Sequence, residues 1–404
     1  MSQSVRSSAL FVAVCALLAV PMVQSAPAAY PGANGKIVYT AGDDVFSANP
    51  DGTEVANLTN TPGLGAQYPS ASPDGKRVAF TVDSYDFDDA GLYVINMNGT
   101  GAFDVLDGQN DKFVAVSHPT WSPDGKRIAF EGYDYASFTN ELFVVDVDGS
   151  DLERLTNCDC VSSSAPTWSP VSNEIAFVPC CSQVLTAINA NNKTTREIYT
   201  PPTGYVIDPT WSPDGTQLAF DDLLDVYRVN ADGTGTAVSL TEGGPGYYGN
   251  PAWSPDGTEI VVQSNHDSQS NNQDIYALDA TTGIAGIRRI TTALGPERDA
   301  DWAPLCTEKC TATTLTVRVT KTNSKLKVNG LLTPPLAGQE VVVTLFRKKG
   351  DGYKQIKSIF PTVAEDGTYR GTFARPDANK CKVEAVYLGD ADHEFSAAIK
   401  TFSC

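Results

Sequence analysis

One thirteen-residue pattern, repeated along most of the chain, constrains it more than any other feature. YPSASPDGKRVAF begins at Tyr68, HPTWSPDGKRIAF at His118, APTWSPVSNEIAF at Ala165, DPTWSPDGTQLAF at Asp208 and NPAWSPDGTEIVV at Asn250; a shortened copy, DADWAP, begins at Asp299. Successive starts lie 50, 47, 43, 42 and 49 residues apart. Such a period means that one supersecondary unit recurs, and a unit that cannot bury both faces alone must stack on its neighbours.

Each copy reads as four short strands. The Trp-Ser-Pro segment is the first, and Asp-Gly supplies a tight turn whose residues tolerate positive φ. Alternation at Lys126-Arg127-Ile128-Ala129-Phe130 marks the second strand. Glu141-Leu142-Phe143-Val144-Val145 reads as the third, Asp148-Gly149 as another turn, and a fourth strand ends near Leu155-Thr156. The second turn recurs at Asn98-Gly99 and Asp232-Gly233. Four strands per period fit propeller blades. Asn34 to Tyr39 matches a second strand without its first, and Asp299 to Pro304 supplies a first strand with nothing after it. Joined, the chain ends complete a sixth blade and remove exposed sheet edges. The five tryptophans, Trp121, Trp168, Trp211, Trp253 and Trp302, hold one repeat position, with Ala71 in the remaining copy. An aromatic array also suits sugar stacking, but repetition at a strand position points to packing between blades.

The Trp-Ser-Pro-Asp-Gly-Lys-Arg-Ile-Ala-Phe unit at Trp121 to Phe130 resembles the WD-like repeats of the TolB propeller family, over about 270 residues from Asn34 to Pro304. The resemblance implies an all-β fold: a six-bladed β-propeller over residues 29–305, closed by a C-terminal strand.

Residues 1–28 read as a signal peptide: Arg6, an apolar run from Ala9 to Val23, then small residues up to Ala28. The run falls short of the roughly 20 residues that span a bilayer. No later segment is apolar enough to do so, and the expected location is secreted, periplasmic or cell-envelope. Residues 312–404 lack the repeat. Strand patterns at Leu315–Val319, Lys325–Val328, Val341–Leu345, Tyr369–Phe373, Val383–Tyr387 and Ala397–Ile399 suggest a small sandwich. Gly389-Asp390-Ala391-Asp392-His393-Glu394-Phe395-Ser396 resembles the late-strand motif of bacterial Ig-like repeats, which implies a spacer or adhesive module.

Eight cysteines follow the leader, and in an oxidising compartment an even number reads as disulfides. Cys158 and Cys160 are expected to bond Cys180 and Cys181, in an undetermined pairing, because the loops before a first strand and after a second open on one face. Cys381–Cys404 and Cys306–Cys310 complete the set, the latter at a domain junction spanning about residues 305–312.

The charge is divided. Residues 26–304 carry 13 basic and 38 acidic side chains, residues 305–404 carry 15 and 10. An acidic body argues against nucleic acid, whose phosphates need a basic face. Solubility alone accounts for it as well as a cationic partner does. With three histidines, no G-x-S-x-G and no H-E-x-x-H, no convergent catalytic set is legible. Binding or scaffolding of a protein or extracellular polymer is therefore the leading function, and no cofactor is required. The alternative is a metal-assisted lyase or hydrolase acting on an extracellular polymer. The sequons at Asn57, Asn98 and Asn192 read as structural turns.

The residue three before the tryptophan position should begin each innermost strand, at the channel mouth. It is Tyr68, His118, Ala165, Asp208, Asn250 and Asp299. Tyr68, His118, Asp208, Asn250 and Asp299 are the candidate ligand-binding set. Loops on the same face add Asp43, Asp44, Asp86, Asp88, Asp89, Asp221, Asp222 and Asp225. If an ion binds, Ca²⁺ held by Asp208 and Asp299 is the expected one, since hard cations take oxygen ligands. The other readings are a basic segment of a partner protein, or acidic groups that cap strand ends and face water.

Overall fold

The computed structural model describes residues 31–60, 65–82, 91–106, 112–134, 139–157, 164–179, 182–202, 204–267, 272–292, 295–306, 313–349, 352–387 and 396–404. The leader, Asp86, Asp88, Asp89, His393, Cys158, Cys160, Cys180, Cys181 and Cys310 lie outside them, and so do the disulfides expected there.

Every named element is a strand. Five four-stranded antiparallel sheets run in chain order. Their innermost strands are Ala66–Ala71, Phe113–Trp121, Ser164–Trp168, Ile207–Trp211 and Tyr248–Trp253. A further four-stranded sheet is made from distant segments. Glu297–Pro304 lies antiparallel to Asn34–Ala41, with Trp302 opposite Ile37 and Asp301 opposite Val38. Among the described residues each sheet is open, and none closes on itself. Instead the innermost strands touch in a cycle: Ala66–Ala71, then the four that follow in chain order, then Glu297–Pro304, which touches Ala66–Ala71 again.

The turns come from side chains that the repeat supplies. Ser122 Oγ donates to Asp124 Oδ1 at 2.6 Å, the amide of Lys126 donates to the same oxygen, and Ser122 Oγ accepts from the amide of Arg127. Gly125, at φ 65°, closes the turn. Serine and aspartate repeat this at Ser72, Ser212 and Ser254. At the second turn, Asp148 Oδ1 takes the amide and hydroxyl of Ser150, as Asn98 does for Thr100 and Asn192 for Thr194. Those two sequon asparagines are turn residues, and Asn57 Oδ1 likewise accepts from the amides of Thr59 and Asn60.

The tryptophans join one sheet to the next. Trp121 is fully buried, its Nε1 donates to the Ser70 carbonyl of the preceding sheet at 3.0 Å, and the Arg77 guanidinium lies 4.7 Å above its ring. Trp211 Nε1 donates to Thr167 O at 3.2 Å. Contacts also run the other way: Thr120 Oγ1 accepts from the amide of Trp168 at 3.1 Å. At the joint between the composite sheet and the Ala66 sheet, Asp301 stands where Thr120 stands in its own copy. Its carboxylate accepts from the amides of Ala71 and Trp302, each at 2.8 Å. Burial raises its pKa.

Asp301→Thr keeps an acceptor there without the buried charge and is expected to melt no lower than wild type at pH 8. Asp301→Ala strands the Ala71 amide, a loss of about 1–3 kcal/mol that lowers the melting temperature by several degrees. Circular dichroism melts check this; an unshifted alanine variant would remove Asp301 from the joint.

The tail has a three-stranded sheet, Thr314–Lys321, Lys325–Thr333 and Thr368–Ala374, and a four-stranded one, Gly352–Ile359, Val342–Lys349, Cys381–Tyr387 and Ser396–Phe402. Leu326, Val328 and Phe373 of the first share a core with Leu345, Val383 and Tyr387 of the second. Gly352–Ile359 is the strand that the sequence patterns leave out, because Lys354 and Lys357 blur its alternation. Cys381 and Cys404 are disulfide-bonded as expected, with Cα atoms 5.6 Å apart. Val342 and Val386 extend the apolar cluster of Phe103, Val105 and Phe113, so the tail packs against the repeat region. Lys382 and Glu384 sit at that seam 3.8 Å apart. Burial lowers the lysine pKa and raises the glutamate pKa.

Candidate functional site

The position three before the tryptophan does not begin the strands. Tyr68 and Asn250 are third in theirs, and His118 stands well inside Phe113–Trp121. At this position the register with the second strand slips, between Gln67 and Ser70, Ser117 and Thr120, Ile207 and Thr210, and Gly249 and Ala252. The backbone there is left-handed, with φ of 52° at Tyr68, 49° at His118, 48° at Asp208, 47° at Asn250 and 53° at Asp299. Asn, Asp and His enter this region more readily than other side chains do. The polar residue types therefore have a backbone reason as well as a chemical one. A bulge also re-aims its side chain.

All six residues, Ala165 included, line one cavity of about 150 Å³ enclosed by the innermost strands. Neighbours fix several of them. Asn250 Nδ2 donates to Asp299 Oδ1 at 2.7 Å. Tyr68 and His118 lie ring against ring, tilted by 41° with centroids 4.0 Å apart. His118 Nδ1 lies 3.3 Å from Glu131 Oε2, and Ser117 Oγ donates to the same oxygen. Asp208 receives no hydrogen bond from any described residue.

Of the loop carboxylates, Asp44, Asp222 and Asp225 are caps. Asp44 accepts from Asn57 Nδ2 and Thr59 Oγ1, Asp222 Oδ1 from the amides of Leu224 and Asp225, and Asp225 Oδ1 from Thr241 Oγ1. Asp43 is exposed. Asp221 is different. It is fully buried, and it accepts from the amides of Leu223 and Asn250, each at 3.0 Å. A Cβ on Gly249 would lie 2.1 Å from Tyr247 Oη and 3.3 Å from Asp221 Oδ2, so a side chain there would have to displace the Tyr247 ring. Glu131 was not legible as part of the site. Its place in the second strand looks like any other, and only the fold brings it to His118.

Asp208, Asp221 and Asp299 resist ionisation. Burial is the main cause for each. Asp208 is pushed up to about 6, with relief from His118 and further pressure from Asp299 and Glu131. Asp221 is pushed up to about 8, with the Asp208 charge adding to burial and two backbone donors opposing it. Burial works against a charged His118, but the Glu131 carboxylate, with Asp208 and Asp299 beyond, outweighs it and raises that pKa. The site thus gathers more carboxyl groups than cationic side chains, and they ionise reluctantly in surroundings where an incoming cation would interact strongly.

Among the described residues, no three His, Cys, Asp or Glu side chains come close enough to ligate one ion. Asp208 and Asp299 supply two carboxylates toward the six to eight oxygens that Ca²⁺ takes. An ammonium or guanidinium asks for fewer, independently placed acceptors. Among the described residues, no helix is long and apolar enough to cross a membrane.

No protein-family model and no curated protein matches this chain. Solved structures do. TolB from Acinetobacter baumannii is 20% identical, with 67% of each chain covered and a TM-score of 0.53. A chain of the nidogen/laminin complex is 12% identical over 66% of this chain and 98% of its own, at 0.53. Hydrazine synthase from Kuenenia stuttgartiensis is 12% identical over 93% of this chain and 68% of its own, at 0.55. At such identities the likeness shows the fold alone, an all-β, TolB-like β-propeller.

Proposed function

We propose that this chain is a secreted or cell-envelope binding protein, a six-bladed β-propeller closed by Glu297–Pro304 and carrying an Ig-like sandwich. Its channel mouth receives a cationic side chain of a partner protein. The observation that carries this reading is the Asp208 carboxylate, which faces the cavity with no hydrogen bond from a described residue, beside Asp299 and the buried Asp221. Burying an unpaired carboxylate is costly. A lysine or arginine entering the channel repays that cost, and an acidic body would steer it there. The same field disfavours nucleic acid and acidic polymers. Six four-stranded sheets in cyclic contact support the blade count, and the two-sheet tail supports the Ig-like assignment.

Calorimetry with the amidated peptide acetyl-Gly-Gly-Lys-Gly-Gly, and separately with CaCl₂, tests the ligand class. The peptide is expected to bind wild type, and Asp208→Asn with Asp299→Asn to weaken it at least tenfold. Saturable Ca²⁺ binding that the double substitution abolishes would replace this reading with an ion site, and with it the case for a metal-assisted lyase or hydrolase. No heat from either probe would remove the mouth as a cation site.

A further inference from the structure

Beside the half-buried Asp208 and the buried Asp221 stands an apolar lip. Tyr205, Leu223 and Leu224 are 54%, 50% and 66% exposed, in a chain whose other large side chains on these strands are mostly buried. Ile207 pairs with Asp221, so Tyr205 and Leu223 each lie two residues beyond the same rung, one on either strand. Asp208 follows Ile207, so the lip and the charge share one strand end. The loop bearing the leucines is fixed. Asp221 Oδ1 accepts from the amide of Leu223, Asp222 Oδ1 from the amides of Leu224 and Asp225, and Leu224 O from the amide of Tyr248 in the next sheet. Leu223 is held at φ 79°, where a leucine is strained and a glycine would not be. Three carboxylate-capped amides and one bond to the neighbouring sheet therefore hold two leucine side chains in water, next to a site rich in carboxyl groups.

We infer that the partner of this mouth is a protein segment in which a lysine or arginine is flanked by a large apolar side chain. The cation enters between Asp208 and Asp299, which line the cavity, with Asp221 buried behind them, and the apolar neighbour packs on Tyr205, Leu223 and Leu224. The inference rests on the cationic-mouth reading and adds to it the chemistry of the flanking residue. Charge complementarity selects the cation, and the exposed lip selects its neighbour. Neither alone would distinguish such a segment from a free polyamine or from an uncharged apolar peptide.

Three acetylated, amidated peptides separate the parts: Gly-Gly-Lys-Gly-Gly, Gly-Phe-Lys-Phe-Gly and Gly-Phe-Gln-Phe-Gly, titrated into the full chain. The phenylalanine–lysine peptide is expected to bind about tenfold more tightly than the glycine–lysine one, as partial burial of one large apolar side chain allows. Tyr205→Ser with Leu223→Gly and Leu224→Ser removes the lip, and the glycine suits the left-handed backbone. In that variant the two lysine peptides should bind alike, at the glycine–lysine level. Equal binding of both lysine peptides to wild type overturns the lip while leaving the cationic mouth intact. Equal binding of the lysine and glutamine forms of the phenylalanine peptide overturns the pairing of charge with lip. If no peptide binds, both readings fall.

Discussion

A chain cut after Pro296 is expected to lose the cooperative melting transition of the repeat region, whereas one cut after Cys306 keeps it. Both lack the tail, so the comparison isolates Glu297–Pro304. That strand is the inner edge of the composite sheet, paired along Asn34–Ala41. It brings Trp302 and Ala303, each 1% exposed, and the Asp301 carboxylate that holds the Ala71 amide. One buried aromatic covers about 150–250 Å², on the order of 4–6 kcal/mol by area. The deletion also leaves the Ala66–Ala71 and Tyr248–Trp253 strands without a neighbour on one side. Against a total stability of roughly 5–15 kcal/mol, little remains. Calorimetric scanning of the two proteins decides, and equal melting temperatures would count against closure by this strand.

Stability is also expected to fall as pH rises from about 4 to about 8, and Asp208→Asn to relieve much of the fall. Asp208 and Asp221 have folded pKa values raised to about 6 and about 8 from an ordinary 3.8. Well below pH 3.8 both are neutral, folded or unfolded, and cost nothing. As pH rises, the unfolded chain ionises them freely while the fold resists, so stability is lost through that window. The raised pKa of His118 acts in the same direction, since its proton is bound more tightly in the fold. The turn carboxylates Asp124, Asp214 and Asp256 have lowered pKa values and act below this window, losing their contribution as the pH falls through the acid range. Each pKa unit is worth about 1.4 kcal/mol, so neutralising Asp208 gains on the order of 3 kcal/mol at pH 8 and almost nothing at pH 4. Because Asp208 takes no hydrogen bond from a described residue, asparagine loses none of those. The variant should therefore be more stable and bind cations worse, as expected where a strained site serves function. Wild type and Asp208→Asn melting together at pH 8 would show that the carboxylate is not held at a cost.

The repeat made most of the fold readable because its residues act locally. Ser-Pro-Asp-Gly builds its own turn, and a tryptophan at a fixed strand position needs a neighbouring sheet. Strand bounds were less readable where charges interrupt alternation, as at Lys354 and Lys357. The cavity lining was legible as a position: the residues three before the tryptophan line one cavity. Its geometry was not. The register slip that puts Asp208 and Asn250 in left-handed backbone is set by pairing with the second strand, which no pattern within the first encodes. Asp221 could be named among the loop acids, but nothing local distinguishes it from Asp222. Asp221 is buried and reaches the Asn250 amide of the next sheet, whereas Asp222 accepts from amides of its own loop. Glu131 and the exposed Leu223 and Leu224 become meaningful only once the sheets are assembled.

The central claim is that a cation meets carboxylates which the fold keeps partly protonated. Calorimetric titration of Gly-Phe-Lys-Phe-Gly at pH 7, in phosphate and again in Tris, measures it, because the two buffers differ in ionisation enthalpy. Binding that draws Asp208 and Asp221 into their charged forms releases protons, so the apparent enthalpies should differ by a fraction of a proton or more per peptide, and Asp208→Asn should shrink that difference. Identical enthalpies in the two buffers, or a net uptake of protons, would contradict the account.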